Sequence, residues 1–127
     1  MANLSTIDVL IVDDDKNICM IMKEYLEEMG TFRLIVEAHD GSIASSKLQN
    51  QKFGLIILDM NMPKKSGFDL IKDLETPSLN KKENVLVISG TLDRDLIARV
   101  IQRGVKNFLV KPFDEASFKD KVSKMLA

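Results

Sequence analysis

The stretch LIILDMNMP, Leu55–Pro63, joins four consecutive apolar residues to a single carboxylate and, four positions later, to a proline. An apolar run of this length without polar alternation is too short for a helix and is typical of a strand that is buried on both faces. Asp59 is the first charged residue after the run, so it stands where the predicted strand leaves the core. The rest of the chain repeats this arrangement.

Four other short apolar runs alternate with helical patterns. The runs are Val9–Val12, Leu34–Val36, Val85–Ile88 and Phe108–Val110. The i, i+3, i+4 patterns cover Ile18–Met29, Ser42–Lys52, Phe68–Leu74, Asp93–Arg103 and Asp114–Leu126. Gly30 and Gly104 follow two of these patterns at the position of a C-terminal cap. Five strand–helix pairs predict a (βα)5 α/β fold, in which a doubly wound parallel sheet carries helices on both faces.

Composition limits the possible classes of function. The chain of 127 residues, with 45% apolar and 29% charged residues, is expected to form one domain, 1–127. A net charge of −1 with interspersed signs indicates no direct nucleic-acid partner. The sequence also indicates no signal peptide and no membrane insertion. Cys19 is the only cysteine, which excludes an internal disulfide, and we expect a cytoplasmic protein.

Polar residues stand at the ends of four predicted strands. Ligands of open α/β sheets bind beyond the carboxyl ends of the strands, which is where these residues fall. They are Asp13, Asp14 and Asp15 after the first strand, Asp59 after the third, Ser89 after the fourth and Lys111 after the fifth. Each has an ordinary interpretation alone: a helix cap for Asp15, a turn for Ser89, a surface charge for Lys111. Their coincidence at four strand ends favours a site.

The predicted cluster has the chemistry of a phosphoryl site. If Asp13, Asp14 and Asp59 converge, carboxylates about 4 Å apart repel by about 4 kcal/mol at an effective dielectric near 20, so the cluster needs a cation or shifted pKa values. Oxygen ligands alone suit a hard ion, Mg²⁺ or Mn²⁺. Chelation would not need Lys111 and Ser89, whereas an anion shared with the metal would. Phosphate fits, and Asp59 is then the nucleophile that accepts a phosphoryl group.

The stretches VLIVDDDKN, LIILDMNMP, VLVISGT and FLVKPF together resemble the receiver domain of bacterial two-component response regulators, over nearly the whole chain. The resemblance implies a flavodoxin-like sheet with strand order 2-1-3-4-5. It implies a phosphoacceptor, Asp59, and Mg²⁺ ligands in Asp13, Asp14, Asp59 and the backbone carbonyl of Asn61. It further implies phosphoryl contacts from Ser89 and Lys111, access beside Gly90, a switching aromatic at Phe108 and a cis bond between Lys111 and Pro112.

The implied function is a phosphoacceptor switch rather than an enzyme, with at most self-directed phosphotransfer and autodephosphorylation. Its partners would be a sensor histidine kinase or phosphotransfer protein, and a downstream protein. We expect the downstream protein to contact the face of the fourth helix, fifth strand and fifth helix. We expect that face to carry mixed charges, including Arg94, Arg99, Arg103, Lys106 and Lys119. The alternative is a phosphorylation-independent interaction module with the same fold.

Overall fold

The computed structural model describes residues 6–60, 62, 66–75, 78–90 and 94–127. These residues form five strands: β1 Asp8–Val12, β2 Leu34–Ala38, β3 Leu55–Asp59, β4 Val85–Ser89 and β5 Asn107–Val110. They also form five α-helices: α1 Lys16–Met29, α2 Gly41–Asn50, α3 Gly67–Asp73, α4 Arg94–Gln102 and α5 Glu115–Leu126. A short 3₁₀ helix, Lys82–Asn84, precedes β4. The predicted alternation of strands and helices is confirmed.

The strands form one parallel sheet in the order β2-β1-β3-β4-β5. This order confirms the flavodoxin-like topology. The chain adds β2 on one side of β1 and then crosses to β3 on the other side, so the connections after β1 and β3 diverge. That divergence opens a crevice at the carboxyl ends of these two strands.

Two apolar layers enclose the sheet. Helices α1 and α5 pack on one face against Val9, Ile11 and their neighbours, while α2, α3 and α4 pack on the other face against Leu10, Val12 and theirs. Successive strand residues point to opposite faces, so a strand covered on both sides must be apolar at each position. This explains the unbroken apolar runs of the central strands.

The strands extend further than the apolar runs predicted. Asp59 pairs with Ile88 and Ser89 pairs with Val110, so the ladder continues into the polar residues at the strand ends. Strand β2 runs beyond Leu34–Val36 to Ala38, and its half-buried position at the edge of the sheet accommodates Glu37. Backbone pairing therefore holds Asp59 and Ser89 at the strand ends.

Helix ends follow ordinary capping chemistry. The Asp15 carboxylate accepts hydrogen bonds from the backbone N–H groups of Asn17 and Ile18, which confirms its interpretation as the cap of α1. Gly30, with φ of 65°, ends the same helix in the left-handed conformation that glycine adopts readily. Within the described ranges, no helix combines the length and apolar character needed to cross a bilayer.

Candidate functional site

Three carboxylates meet at the carboxyl edge of the sheet. Asp13 follows β1 directly, and its backbone N–H donates a hydrogen bond to the carbonyl of Ala38, 3.1 Å away, which extends the pairing with β2. Asp14 comes next, and Asp59 ends β3. One carboxylate oxygen from each of the three aspartates lies within 4.8 Å of the others. The strand ends thus bring together the acidic residues that the sequence predicted.

Lys111 links two of these carboxylates. Its backbone N–H donates to the carbonyl of Ser89 at 2.8 Å, which fixes the chain just after β5. Its Nζ lies 3.0 Å from Asp13 Oδ2 and 3.7 Å from Asp59 Oδ2. Partial burial favours the neutral amine, but the hydrogen bond to Asp13 and the charge of Asp59 outweigh it and raise the pKa of Lys111. The lysine is therefore held as an ammonium ion.

Burial divides the acidic residues into two kinds. Asp13 and Asp59 are 1% and 5% exposed, whereas Asp14 is exposed to solvent. Asp13 uses one oxygen to accept from the backbone N–H of Asp15 and the other to accept from Lys111. Asp14 therefore presents its carboxylate at the mouth of the cluster.

The donor set fits a hard divalent cation. Three carboxylates carry three negative charges and the Lys111 ammonium one positive charge, so the cluster has two net negative charges. All three carboxylate side chains offer oxygen, which suits Mg²⁺ or Mn²⁺ better than a soft ion. Asn61, whose carbonyl was predicted as a further ligand, lies outside the described residues.

The remaining predicted residues lie at the carboxyl ends of β4 and β5. Ser89 is buried at the end of β4, next to Asp59 in the sheet, and Gly90 is exposed. A Cβ built on Gly90 would meet no heavy atom within 4 Å among the described residues, so the space beside Ser89 is open. The bond between Lys111 and Pro112 is cis, as expected.

Phe108 lies half-buried on β5, behind Ser89. Both residues line a narrow apolar cavity under α4, together with Leu96 and Val100 among others. Its volume is about 10 Å³, about the room needed for one water molecule. A phenyl ring cannot enter this cavity unless neighbouring groups move.

The cationic side chains that were predicted for the face of α4, β5 and α5 do not all lie there. Arg99 and Arg103 do not belong to the groove between α4 and α5, because their guanidinium carbons lie 4.5 and 5.4 Å from the ring centroid of Phe68 in α3. Lys119 contacts Glu115 on its own helix and lies 5.9 Å from the Tyr25 ring centroid of α1. Helical spacing alone did not predict which neighbour each cation would reach.

Two residues of the site were not predicted from the sequence. A Cβ on Gly67 would lie 2.7 Å from the Asp59 carbonyl oxygen, so only glycine lets α3 begin against the end of β3. Cys19 is buried, and its thiol donates a hydrogen bond to the carbonyl of Asp13 at 3.3 Å. Burial raises the pKa of Cys19 to about 12, with nearby carboxylates adding to the effect. In the sequence, the only feature that marks Gly67 is its position just before the predicted helix Phe68–Leu74.

Comparisons with known proteins agree with this geometry. The family model described as "Response regulator receiver domain" matches residues 9–123. Chemotaxis protein CheY-3 of Vibrio cholerae is 36% identical over 117 residues, which cover 92% of this chain and 89% of that protein. Chemotaxis protein CheY of Pseudomonas aeruginosa is 34% identical over 117 residues, which cover 92% of this chain and 94% of that protein.

Solved structures give the same result. Chemotaxis response regulator CheY4 of Vibrio cholerae matches with a TM-score of 0.84 at 26% identity, over 95% of this chain and 99% of that chain. The receiver domain from Bermanella marisrubri matches with a TM-score of 0.81 at 28% identity, over 94% and 98%. This chain therefore belongs to the response regulator receiver family, whose CheY-like members are signalling switches of two-component systems and typically bind Mg²⁺ in an acidic pocket.

Proposed function

We propose that this chain accepts a phosphoryl group on Asp59 and thereby switches a protein-interaction surface. One observation carries the proposal: the carboxylates of Asp13, Asp14 and Asp59 converge within 4.8 Å, and the Lys111 ammonium reaches two of them. A helix cap or a solvated surface charge does not require this convergence. A phosphoryl group and its metal ion do require it.

Each residue has a separate role in the transfer. An oxygen of Asp59 attacks the phosphorus of a phosphohistidine or a small acyl phosphate; the new P–O bond forms as the bond to the donor breaks, and the donor keeps that electron pair. Asp13, Asp14 and Asp59, with the Asn61 carbonyl, would hold the cation. Mg²⁺, when bound, neutralises charge on the transferring group.

Lys111 and Ser89 act on the product. The Lys111 ammonium, already beside Asp59, pairs with a phosphoryl oxygen as a point charge. The Ser89 hydroxyl donates a hydrogen bond to another oxygen, and the open space beside Gly90 admits the donor. These groups stabilise the negative charge that Asp59 acquires, about two units at neutral pH.

The proposed partners follow from this chemistry. A sensor histidine kinase or a phosphotransfer protein supplies the phosphoryl group, and the chain, 1–127, acts in the cytoplasm as a single receiver domain. It is a switch rather than an enzyme with an external substrate, and its catalysis is limited to its own phosphotransfer and dephosphorylation. A downstream protein reads the result at the face formed by α4, β5 and α5.

Phosphate incorporation tests the chemical part of the proposal. Incubation with acetyl phosphate and Mg²⁺ is expected to give an acid-stable, base-labile phosphoprotein. Asp59→Asn should abolish the label, whereas Asp120→Asn, a matched change of a solvent-exposed aspartate on α5, should retain it. Full labelling of Asp59→Asn would refute the assignment of the acceptor. Absence of label in the folded wild-type protein would favour the phosphorylation-independent interaction module.

The structure of the α4–β5 region supports the proposed output. The cavity between Ser89 and Phe108 is too small for the ring, so an inward turn of Phe108 requires the room that movement of Ser89 would open. Phosphorylation supplies a reason for Ser89 to move, and Phe108 would then fill the space and reshape the surface beside α4. Such a coupled pair is a two-state element that a local charge can bias.

Beryllofluoride with Mg²⁺ tests this coupling, because it mimics the phosphoryl group. Amide chemical shifts are expected to move around Ser89, across residues 94–103 and at Phe108. A Phe108→Leu variant should bind beryllofluoride while the shifts in α4 decrease. Shifts confined to the acidic pocket in the wild-type protein would mean that Phe108 is a core residue and that the output lies elsewhere.

A further inference from the structure

A second cluster of metal-binding side chains lies close to the acidic pocket. It consists of Cys19 on α1, Glu37 on β2 and His39 just after β2. The Cys19 sulfur, a Glu37 carboxylate oxygen and a His39 ring nitrogen all lie within 4.8 Å of one another. His39 Nε2 is 2.9 Å from Glu37 Oε1. The proposed phosphoryl chemistry uses none of these side chains.

The fold accounts for this meeting of residues. Side chains two positions apart on an extended segment point to the same side, which places Glu37 and His39 together. Ile35, two positions earlier, packs into the apolar layer beneath α1, so this side of β2 faces α1. Cys19 belongs to the buried face of α1 in that same layer. The three side chains therefore meet where α1 crosses the end of β2.

The donor chemistry differs from that of the acidic pocket. A thiolate, an imidazole and a carboxylate are the ligands that Zn²⁺ takes in proteins, at about 2.0–2.3 Å. With three protein ligands, Zn²⁺ keeps a fourth position, which water can fill. The Cys19 thiol is fully buried, while the Glu37 and His39 side chains are 26% and 36% exposed. An ion can thus reach Glu37 and His39 from solvent and then contact the buried Cys19 sulfur.

We propose that Cys19, Glu37 and His39 form a second metal site, selective for a borderline cation such as Zn²⁺ and separate from the Mg²⁺ pocket. The inference goes beyond the proposed function and does not depend on it. On binding, the Cys19 S–H bond breaks, the proton leaves to the buffer and the sulfur bonds to the ion, with no change of oxidation state. The thiolate formed in this way no longer donates the hydrogen bond to the Asp13 carbonyl.

Cobalt spectroscopy tests the site directly. Co²⁺ is added to the full chain in saturating Mg²⁺, which occupies the acidic pocket. We expect visible bands of tetrahedral Co²⁺ and a near-ultraviolet sulfur-to-cobalt charge-transfer band that saturate at one equivalent, and Zn²⁺ should displace the cobalt. Because Cys19 is the only cysteine, a thiolate charge-transfer band identifies it as a ligand without any mutation.

Variants separate this site from the acidic pocket. Cys19→Ala should remove the charge-transfer band, and His39→Gln should weaken Co²⁺ binding at least tenfold, since even outer-shell losses reach that size. Asp59→Asn should leave both signals unchanged. His39 is partly exposed, so its variant remains informative if Cys19→Ala proves unstable. Absence of the charge-transfer band in the wild-type protein would refute the site, as would Co²⁺ signals lost only in Asp59→Asn. Neither result bears on phosphorylation of Asp59.

Discussion

Replacing Lys111 by methionine should expose the electrostatic strain of the acidic pocket in the absence of metal. The change keeps an unbranched apolar stem but removes the ammonium that lies 3.0 Å from Asp13 and 3.7 Å from Asp59. Two carboxylates that are almost inaccessible to solvent would then face each other without a nearby cation. We therefore expect the metal-free variant to be less stable than the wild-type protein at neutral pH.

The expected loss of stability in Lys111→Met follows from the distances between Lys111 and the two aspartates and from the burial of Lys111. At an effective dielectric of about 20, each ion pair attracts by roughly 4–6 kcal/mol, and desolvation of the ammonium offsets much of this. Removal of one partner of a buried pair typically costs about 3–5 kcal/mol. Lys111 is 24% exposed, so water can partly replace it and the expected loss is about 2–3 kcal/mol.

Urea unfolding followed by circular dichroism in EDTA measures this loss. Lys124→Met is the matched control, because that lysine also contacts an aspartate at 3.0 Å but is 74% exposed; its cost should stay below about 1 kcal/mol. Mg²⁺ should restore part of the stability of Lys111→Met, and Asp13→Asn should reduce the cost of removing Lys111. Equal losses for the two lysine variants in EDTA would refute the reasoning.

The dependence of folding stability on pH in the alkaline range provides a further check on Lys111. Its pKa is raised in the folded protein, so its stabilising contribution is complete below the unfolded value of about 10.4 and is lost as pH rises through the folded pKa. The stability difference between the wild-type protein and Lys111→Met should therefore shrink at high pH. A difference that persists above the folded pKa would instead indicate lost packing of the lysine stem.

Three further changes test the fold and the metal site. Gly67→Ala should destabilise the protein by about 1–3 kcal/mol in urea unfolding, because its Cβ meets backbone at the end of β3. Gly90→Ala, where a Cβ meets no heavy atom within 4 Å among the described residues, should have little effect. Equal losses of stability in the two variants would contradict the steric argument. Arg33→Met should lower the urea midpoint at pH 7. Arg33 lowers the pKa of buried Asp8, so the stability that this ion pair contributes is lost as pH falls through the folded pKa of Asp8. The difference in urea midpoint between the wild-type protein and Arg33→Met should therefore diminish below about pH 3.9. A difference that does not change with pH would indicate that Arg33 stabilises the protein by packing. Asp14→Ala should weaken Mg²⁺ affinity at least tenfold in an amide-shift titration, and an unchanged titration would mean that Asp14 is no ligand.

The sheet could be predicted because its central strands are covered on both faces. Such strands require apolar residues at each position, and the resulting runs are visible without any three-dimensional information. The predicted ends of the strands were less accurate, because backbone pairing continues β3 to Asp59 and β4 to Ser89, beyond the end of the apolar pattern. At the edge of the sheet, Glu37 ended the apolar run although β2 continued.

The acidic site could be predicted because parallel strands bring their carboxyl ends to one edge. Its local contacts could not, since they depend on packing between distant segments. The closeness of Gly67 to the end of β3 depends on the angle at which α3 begins. The position of Arg99 over Phe68 depends on the rotation of α4, which helical spacing does not determine. The meeting of Cys19 and His39 likewise depends on how α1 crosses β2.

The distance along the chain between Asp13 and Lys111 has a consequence during protein synthesis. These residues are 98 positions apart, yet their side chains are in contact. On the ribosome, Asp13 and Asp14 emerge directly after the first strand, and the lysine follows only after all five strands have been made. A nascent chain, or one in which β5 has not docked, therefore has the acidic residues without the Lys111 ammonium beside them. Under the proposed function, the contact between Lys111 and the phosphoryl group would therefore form only in molecules that have docked their last strand.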